Sequence, residues 1–152
     1  MAKYDSASWH YDGEGYPKDL PNENASTHIG MFLTWCIDHD LISEEQTDDF
    51  GEDIENVKKR ILTGAEYLIQ NCDEKFTTFD LVQLGNDFAK AYYARKEKTA
   101  AAKYASYFED YEKVFSKAGP VFDFYSVANT WENYNLLKPL IDQRFEEWKG
   151  FQ

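Results

Sequence analysis

Ser43-Glu44-Glu45-Gln46-Thr47-Asp48-Asp49-Phe50-Gly51-Glu52-Asp53-Ile54-Glu55-Asn56-Val57-Lys58-Lys59-Arg60 is the stretch that settles the fold class. At about 100° per residue, Glu44, Glu45, Asp48, Asp49, Glu52, Asp53 and Glu55 fall within about half the circumference of a helix, and Phe50, Ile54, Val57 and Ile61 fall in a narrow arc opposite. Such a helix buries four apolar groups and turns seven carboxylates towards water or a partner. Ser43 stands where its hydroxyl can cap the first turn. Glu44 and Glu45 lie at the positive end of the helix dipole, and Lys58, Lys59 and Arg60 at the negative end.

The same helical spacing recurs on both sides. Towards the N-terminus, Ile29, Phe32, Leu33, Cys36, Ile37 and Leu41 repeat every three or four residues, with Met31 and Trp35 widening the apolar face; this helix is predicted to be central, capped by Ser26 or Thr27. Residues 1–25 read as an ordered but irregular aromatic arm. Asp12-Gly13-Glu14-Gly15 forms turns, Pro17 and Pro21 oppose a helix, and Trp9, Tyr4, Tyr11 and Tyr16 should pack across the body. Towards the C-terminus the apolar stripe continues through Ala65 and Leu68, so the acidic helix either runs on or breaks at Thr63-Gly64. Asn71 to Lys75 reads as a loop. Thr77 or Thr78 opens a further helix, reaching about Lys96, with Leu81, Leu84, Phe88, Ala91 and Tyr92 inward. Tyr104 to Phe115 forms an aromatic helix stopped by Ala118-Gly119-Pro120, and Val121 to Val127 an extended link. A final helical region from Thr130, interrupted or re-initiated at Pro139, places Leu140, Ile141, Phe145 and Trp148 in the core. The prediction is an all-α, compact single domain spanning residues 1–152, a bundle of about five to six helices carrying the irregular arm.

Bulk properties agree. A chain of 152 residues that is 43% hydrophobic can bury a sizeable core without staples. No apolar run approaches the roughly 18 residues of a membrane span, and no cationic start followed by an apolar segment marks a signal peptide. Cys36 and Cys72 are too few and too far apart for a disulfide framework, so reduced thiols and a cytoplasmic location are expected. The net charge is −12, and between Asp19 and Val57 there are eleven acids and no Lys or Arg, against 17 acids and 16 bases elsewhere. That local field repels phosphate backbones and attracts a basic partner.

Catalytic and metal constellations are not found. Carboxylates along an exposed arc stay solvated, whereas an acid/base pair needs a desolvated cleft. The Asp73 to Leu84 window fails as a calcium loop, because its twelfth position is Leu84. His10, His28 and His39 share no zinc spacing, and neither cysteine adjoins a histidine. His10, between Trp9 and Tyr11 and close to Asp5 and Asp12, is the least ordinary of the three. Tyr92, Tyr93, Tyr134 and Trp131 are candidates for exposed binding anchors.

Lys3-Tyr4-Asp5-Ser6-Ala7-Ser8-Trp9-His10-Tyr11, Thr27-His28-Ile29-Gly30-Met31-Phe32-Leu33-Thr34-Trp35, Gly85-Asn86-Asp87-Phe88-Ala89 with Tyr92-Tyr93, Trp131-Glu132-Asn133-Tyr134 and Ile141-Asp142-Gln143-Arg144-Phe145 through Trp148 together resemble a poorly characterised bacterial family of short acidic proteins. The resemblance spans nearly the whole chain. It implies a link to polymorphic toxin systems, in which small acidic proteins act as immunity partners, and it brings no catalytic residues with it. The reading is therefore a non-catalytic, cytoplasmic immunity protein without cofactor or metal. It would bind a cognate protein toxin with a basic surface, such as a nuclease, through Glu44, Glu45, Asp48, Asp49, Glu52, Asp53 and Glu55, and would touch neither nucleic acid nor membrane. The rival expectations are a small enzyme with a cleft near His10 and a non-catalytic adaptor or scaffold.

Overall fold

A computed structural model gives the fold and describes residues 2–94, 106–116 and 122–150. In chain order the elements are β1 (Lys3–Ser6), α1 (Ala7–Tyr11), a 3-10 turn at Asn22–Ser26, α2 (Thr27–Asp38), α3 (Glu44–Lys58) and α4 (Gly64–Asn71). There follow β2 (Lys75–Thr77), a 3-10 turn at Thr78–Asp80, α5 (Gln83–Tyr92), α6 (Tyr107–Phe115), a 3-10 turn at Phe124–Ser126 and α7 (Trp131–Lys149). The mainly α-helical architecture matches the sequence reading, with seven helices among the described residues. The arm adds two short elements to that reading. β1 pairs antiparallel with β2, Asp5 opposite Phe76 and Ser6 opposite Lys75, with an irregularity between Lys3 and Asp5.

α2 is the centre of the bundle, and Thr27 to Ile37 are all buried. The ring of Phe32 packs against those of Trp35, Phe76, Phe88, Tyr92, Tyr93 and Tyr107, joining β2, α5 and α6 to this helix. Burial on all sides follows from the lack of any charged residue between Thr27 and Ile37. α4 crosses α2 backbone to backbone at two glycines: a Cβ on Gly30 would stand 2.2 Å from Ala65 N, and one on Gly64 2.1 Å from Gly30 O. Ser26 does not cap α2. Its backbone is already helical (φ −92°, ψ −9°) because the 3-10 turn runs straight into the helix, whereas a cap needs extended backbone.

α3 begins as predicted, with Ser43 Oγ accepting from Gln46 N. It is not one straight helix, since Phe50 takes non-helical angles (φ −134°, ψ 32°) and kinks it. It also does not run on. The backbone of Arg60 turns left-handed (φ 65°), and Thr63 and Glu66 form a reciprocal capping box that starts α4 afresh. Ile61, placed in the buried arc by a continuous helix, therefore lies past the turn and is 70% exposed.

Leu84 is a second departure, 45% exposed instead of inward. α5 starts at Gln83, and Gly85 takes the place against the core: a Cβ there would lie 3.1 Å from Leu41 Cβ. α7 runs unbroken through Pro139, with Tyr134, Leu137, Ile141, Phe145 and Trp148 buried and Leu140 half-buried. The proline is tolerated because it and Asn135, whose carbonyl it leaves unbonded, both face solvent. Tyr92, Tyr93 and Tyr134, candidates for exposure, are buried, and Trp131 is half-buried with the Arg60 guanidinium 4.6 Å from its ring. Cys36 and Cys72 are free thiols. Among the described residues no helix is long and apolar enough to cross a membrane. The predicted extension to Lys96, the start at Tyr104 and the stop at Ala118-Gly119-Pro120 lie outside the described residues.

Candidate functional site

Two places on this fold are candidates for a functional site. The first is the acidic side of α3. Glu44, Glu45, Asp48, Asp49, Glu52 and Glu55 are exposed, while Asp53 is half-buried and accepts from Asn71 Nδ2 at 2.9 Å. Among the described residues only Glu55 of these seven has an ion pair, a loose one to Lys58 at 3.8 Å. The bases at the end of α3 are engaged elsewhere: Lys58 reaches Asp40 at 3.1 Å, and Arg60 grips both oxygens of Asp38 at 3.0 and 2.9 Å. The carboxylates largely keep their field, because the strongest contacts of Lys58 and Arg60 go to Asp40 and Asp38.

The second is a buried cluster at the N-terminal end. Asp5 comes from β1, His10 from α1 and His28 from the first turn of α2. β1 is fixed by its ladder to β2, and α1 is tied down by the bond from Ala7 N to Glu74 O at 3.0 Å. His10 Nε2 lies 2.7 Å from Asp5 Oδ1 and His28 Nε2 lies 3.1 Å from Asp5 Oδ2. Ser6 N donates to Oδ1 at 2.8 Å, and the Tyr93 hydroxyl donates to Oδ2. His10 Nδ1 faces the Tyr125 hydroxyl at 2.7 Å. The two imidazoles meet edge to face, 4.6 Å apart at 88°, and Phe108 and Phe124 pack against His28.

The electrostatics follow from these bonds. Burial would raise the Asp5 carboxyl, but hydrogen bonds from His10 and His28 outweigh it and hold Asp5 well below the usual carboxylate range. Burial pushes the His28 imidazole down against the pull of Asp5, so His28 is neutral near pH 7. A carboxylate only accepts, so in this arrangement each Nε2 donates to Asp5. His10 is the part of the cluster nearest solvent, 17% exposed against 1% for His28. It opens on a groove of about 250 Å³ lined by His10, Phe108, Glu109, Glu112, Phe124 and Tyr125.

Comparison with known proteins places the chain. Residues 3–127 match the family model of a domain of unknown function, DUF7832. The chain belongs to the DUF7832 family. No curated protein and no solved structure matches it. The matched part of this DUF7832 chain takes in α3 and every residue of the Asp5 cluster, and it leaves α7 outside.

The DUF7832 fold gathers only some of the residues singled out in the sequence. Six of the seven acids of α3 are exposed, on two helical segments instead of one, and Asp53 is half-buried. His10 does meet Asp5, five residues away, but Asp12 is no partner of it. His28 and Tyr125 were missed, because their approach is made by the tertiary fold from 18 and 115 positions away. The signal available was Trp9-His10-Tyr11 with an acid nearby. His39 belongs to neither place: its ring stacks on Trp35 at 4.0 Å and its Nε2 lies 3.1 Å from Asp142 Oδ1.

Proposed function

We propose that this DUF7832 protein is a non-catalytic binding protein of the immunity type, which neutralises a protein toxin by presenting α3 to a basic surface such as a nuclease's substrate groove. One observation carries the reading: six exposed carboxylates along the kinked α3, of which only Glu55 has an ion pair, a loose one to Lys58, among the described residues. Such a surface steers a cationic partner into encounter and competes with its polyanionic substrate by occlusion, without bond-making. Its bacterial origin and cytoplasmic setting belong to the same proposal. The test begins with the adjoining gene, which on this reading encodes a toxin-domain protein, and co-expresses the two. The wild-type chain should restore growth, and Glu45→Lys with Glu52→Lys should abolish rescue and slow association at least about tenfold at low salt, the difference shrinking as salt rises. Rescue and salt dependence unchanged in that variant would remove α3 as the interface.

A small acid–base enzyme is the second reading, favoured by the chain Asp5, His10, Tyr125 beside an open groove. There Asp5 would orient His10, and the imidazole would exchange a proton with the Tyr125 hydroxyl or with a substrate in its place. A folded His10→Ala variant that keeps full biological activity would end it.

A further inference from the structure

Asp5, His10 and His28 offer three ligand atoms, one each, all within 4.8 Å of one another. From this convergence we propose that they bind a divalent transition-metal ion, with zinc the best match, through His10 Nε2, His28 Nε2 and one Asp5 oxygen.

The donor chemistry fits. Two imidazoles and one carboxylate form an N2O set of the kind that suits zinc and its neighbours in the first transition row, whereas calcium and magnesium want oxygens. With bonds of about 2.0–2.1 Å, ligand atoms in a tetrahedral set stand about 3.3 Å apart. Asp5 already reaches His10 Nε2 at 2.7 Å through Oδ1 and His28 Nε2 at 3.1 Å through Oδ2, and the three ligand atoms lie within 4.8 Å of one another, so small side-chain shifts bring them onto one ion. The perpendicular rings let the two Nε2 lone pairs converge without stacking.

The surroundings also fit. A zinc-bound imidazole needs an acceptor for its other N–H, which fixes the tautomer. On His10 that atom is Nδ1, and it faces a Tyr125 hydroxyl that can act as its acceptor. With the ion on Nε2, the His10 Nδ1 proton would be donated to that hydroxyl. The Tyr93 hydroxyl holds Asp5 Oδ2 from the opposite side of the sequence, orienting the carboxylate. With three protein ligands the fourth position is open to water or a small anionic ligand, and the groove beside His10 supplies the approach. The site lies on β1, α1 and α2, so it is independent of whether α3 meets a toxin.

Titration of the purified, chelator-treated full chain with zinc by calorimetry, and with cobalt by visible absorption, tests the site. The expected result is one ion per chain and the intense d–d bands of four-coordinate cobalt, displaced by zinc. His10→Ala, at the most exposed ligand, should keep the wild-type circular dichroism and lose at least about tenfold in affinity together with those bands. His39→Ala, at the histidine outside the cluster, should behave as wild type. No zinc binding by the wild-type chain, or binding and cobalt spectrum unaltered by His10→Ala, would overturn the proposal.

Discussion

At the scale of single residues, small side chains decide as much as large ones. Gly30 and Gly64 exist at the α2–α4 crossing because no Cβ fits there: on Gly30 it would strike only backbone atoms of the facing helix, which cannot swing aside, and on Gly64 it would strike the Gly30 carbonyl and Thr34 Oγ1. Gly30→Ala should therefore cost about 3 kcal/mol, at the upper end for an added methyl in a packed core, measured by urea unfolding. Gly51 is the internal control. Nothing lies within 4 Å of a Cβ built on it, and it sits inside α3, so Gly51→Ala should be neutral or stabilise by up to about 1 kcal/mol. Equal losses from both variants would mean that the crossing is looser than its geometry implies. The sequence shows these glycines but not their cause, since a close approach is a property of two helices and each helix is legible only by itself.

At the scale of elements, a buried polar network joins α3, α4 and the turn before α5. Gln46 on α3 donates through Nε2 to Asp80 Oδ1 at 3.0 Å and accepts from the Tyr67 hydroxyl of α4 at 2.6 Å, while Asp80 Oδ2 accepts from Thr77 N at 2.8 Å. Burial raises the Asp80 carboxyl from 3.8 to about 6, against the opposing pull of the Thr77 and Gln46 hydrogen bonds. A raised pKa in the folded state means that folding favours the protonated form. Asp80's contribution is thus full below about pH 4 and is lost as pH rises through 6. The other titratable groups facing it stay neutral throughout: burial pushes Cys72 up to about 12 and the Tyr4 and Tyr67 hydroxyls higher still. Between about pH 4.5 and 7.5 the stability of wild type relative to Asp80→Asn should fall by about 2 kcal/mol. Urea unfolding of both proteins at the two pH values checks this, and a constant difference would show that Asp80 titrates normally. The helices that this network joins were largely visible beforehand, because periodicity and caps such as Ser43 are local. The kink at Phe50, the β1–β2 pairing and the register that exposes Leu84 were not, being set by what each segment packs against.

At the scale of the whole molecule, the acidic surface was legible in advance and the Asp5 cluster was not, for one physical reason. Charge reads out along the chain, since a run of exposed carboxylates needs only a helix to display it; a site made from β1, α1, α2 and the turn at Tyr125 exists only after folding. The same contrast yields a prediction about stability. A net charge of −12, with Glu44 and Asp48, and Glu45 and Asp49, spaced four apart on α3, makes the native state repel itself. Each such pair costs an isolated helix about 0.2–0.5 kcal/mol. Salt shortens the range of this repulsion, from about 30 Å at 0.01 M to about 8 Å at 0.15 M. Thermal unfolding of the wild type should therefore shift upward by several degrees over that range of sodium chloride. Glu45→Lys with Glu52→Lys, which lowers the negative charge by four units, should start higher at low salt and gain less from added salt. A binding surface kept at the expense of self-repulsion would behave in this way, the variant that weakens the proposed interface being the more stable protein. If the reversed variant is instead less stable at low salt, those carboxylates hold the fold together, and their exposure has no need of a partner to explain it.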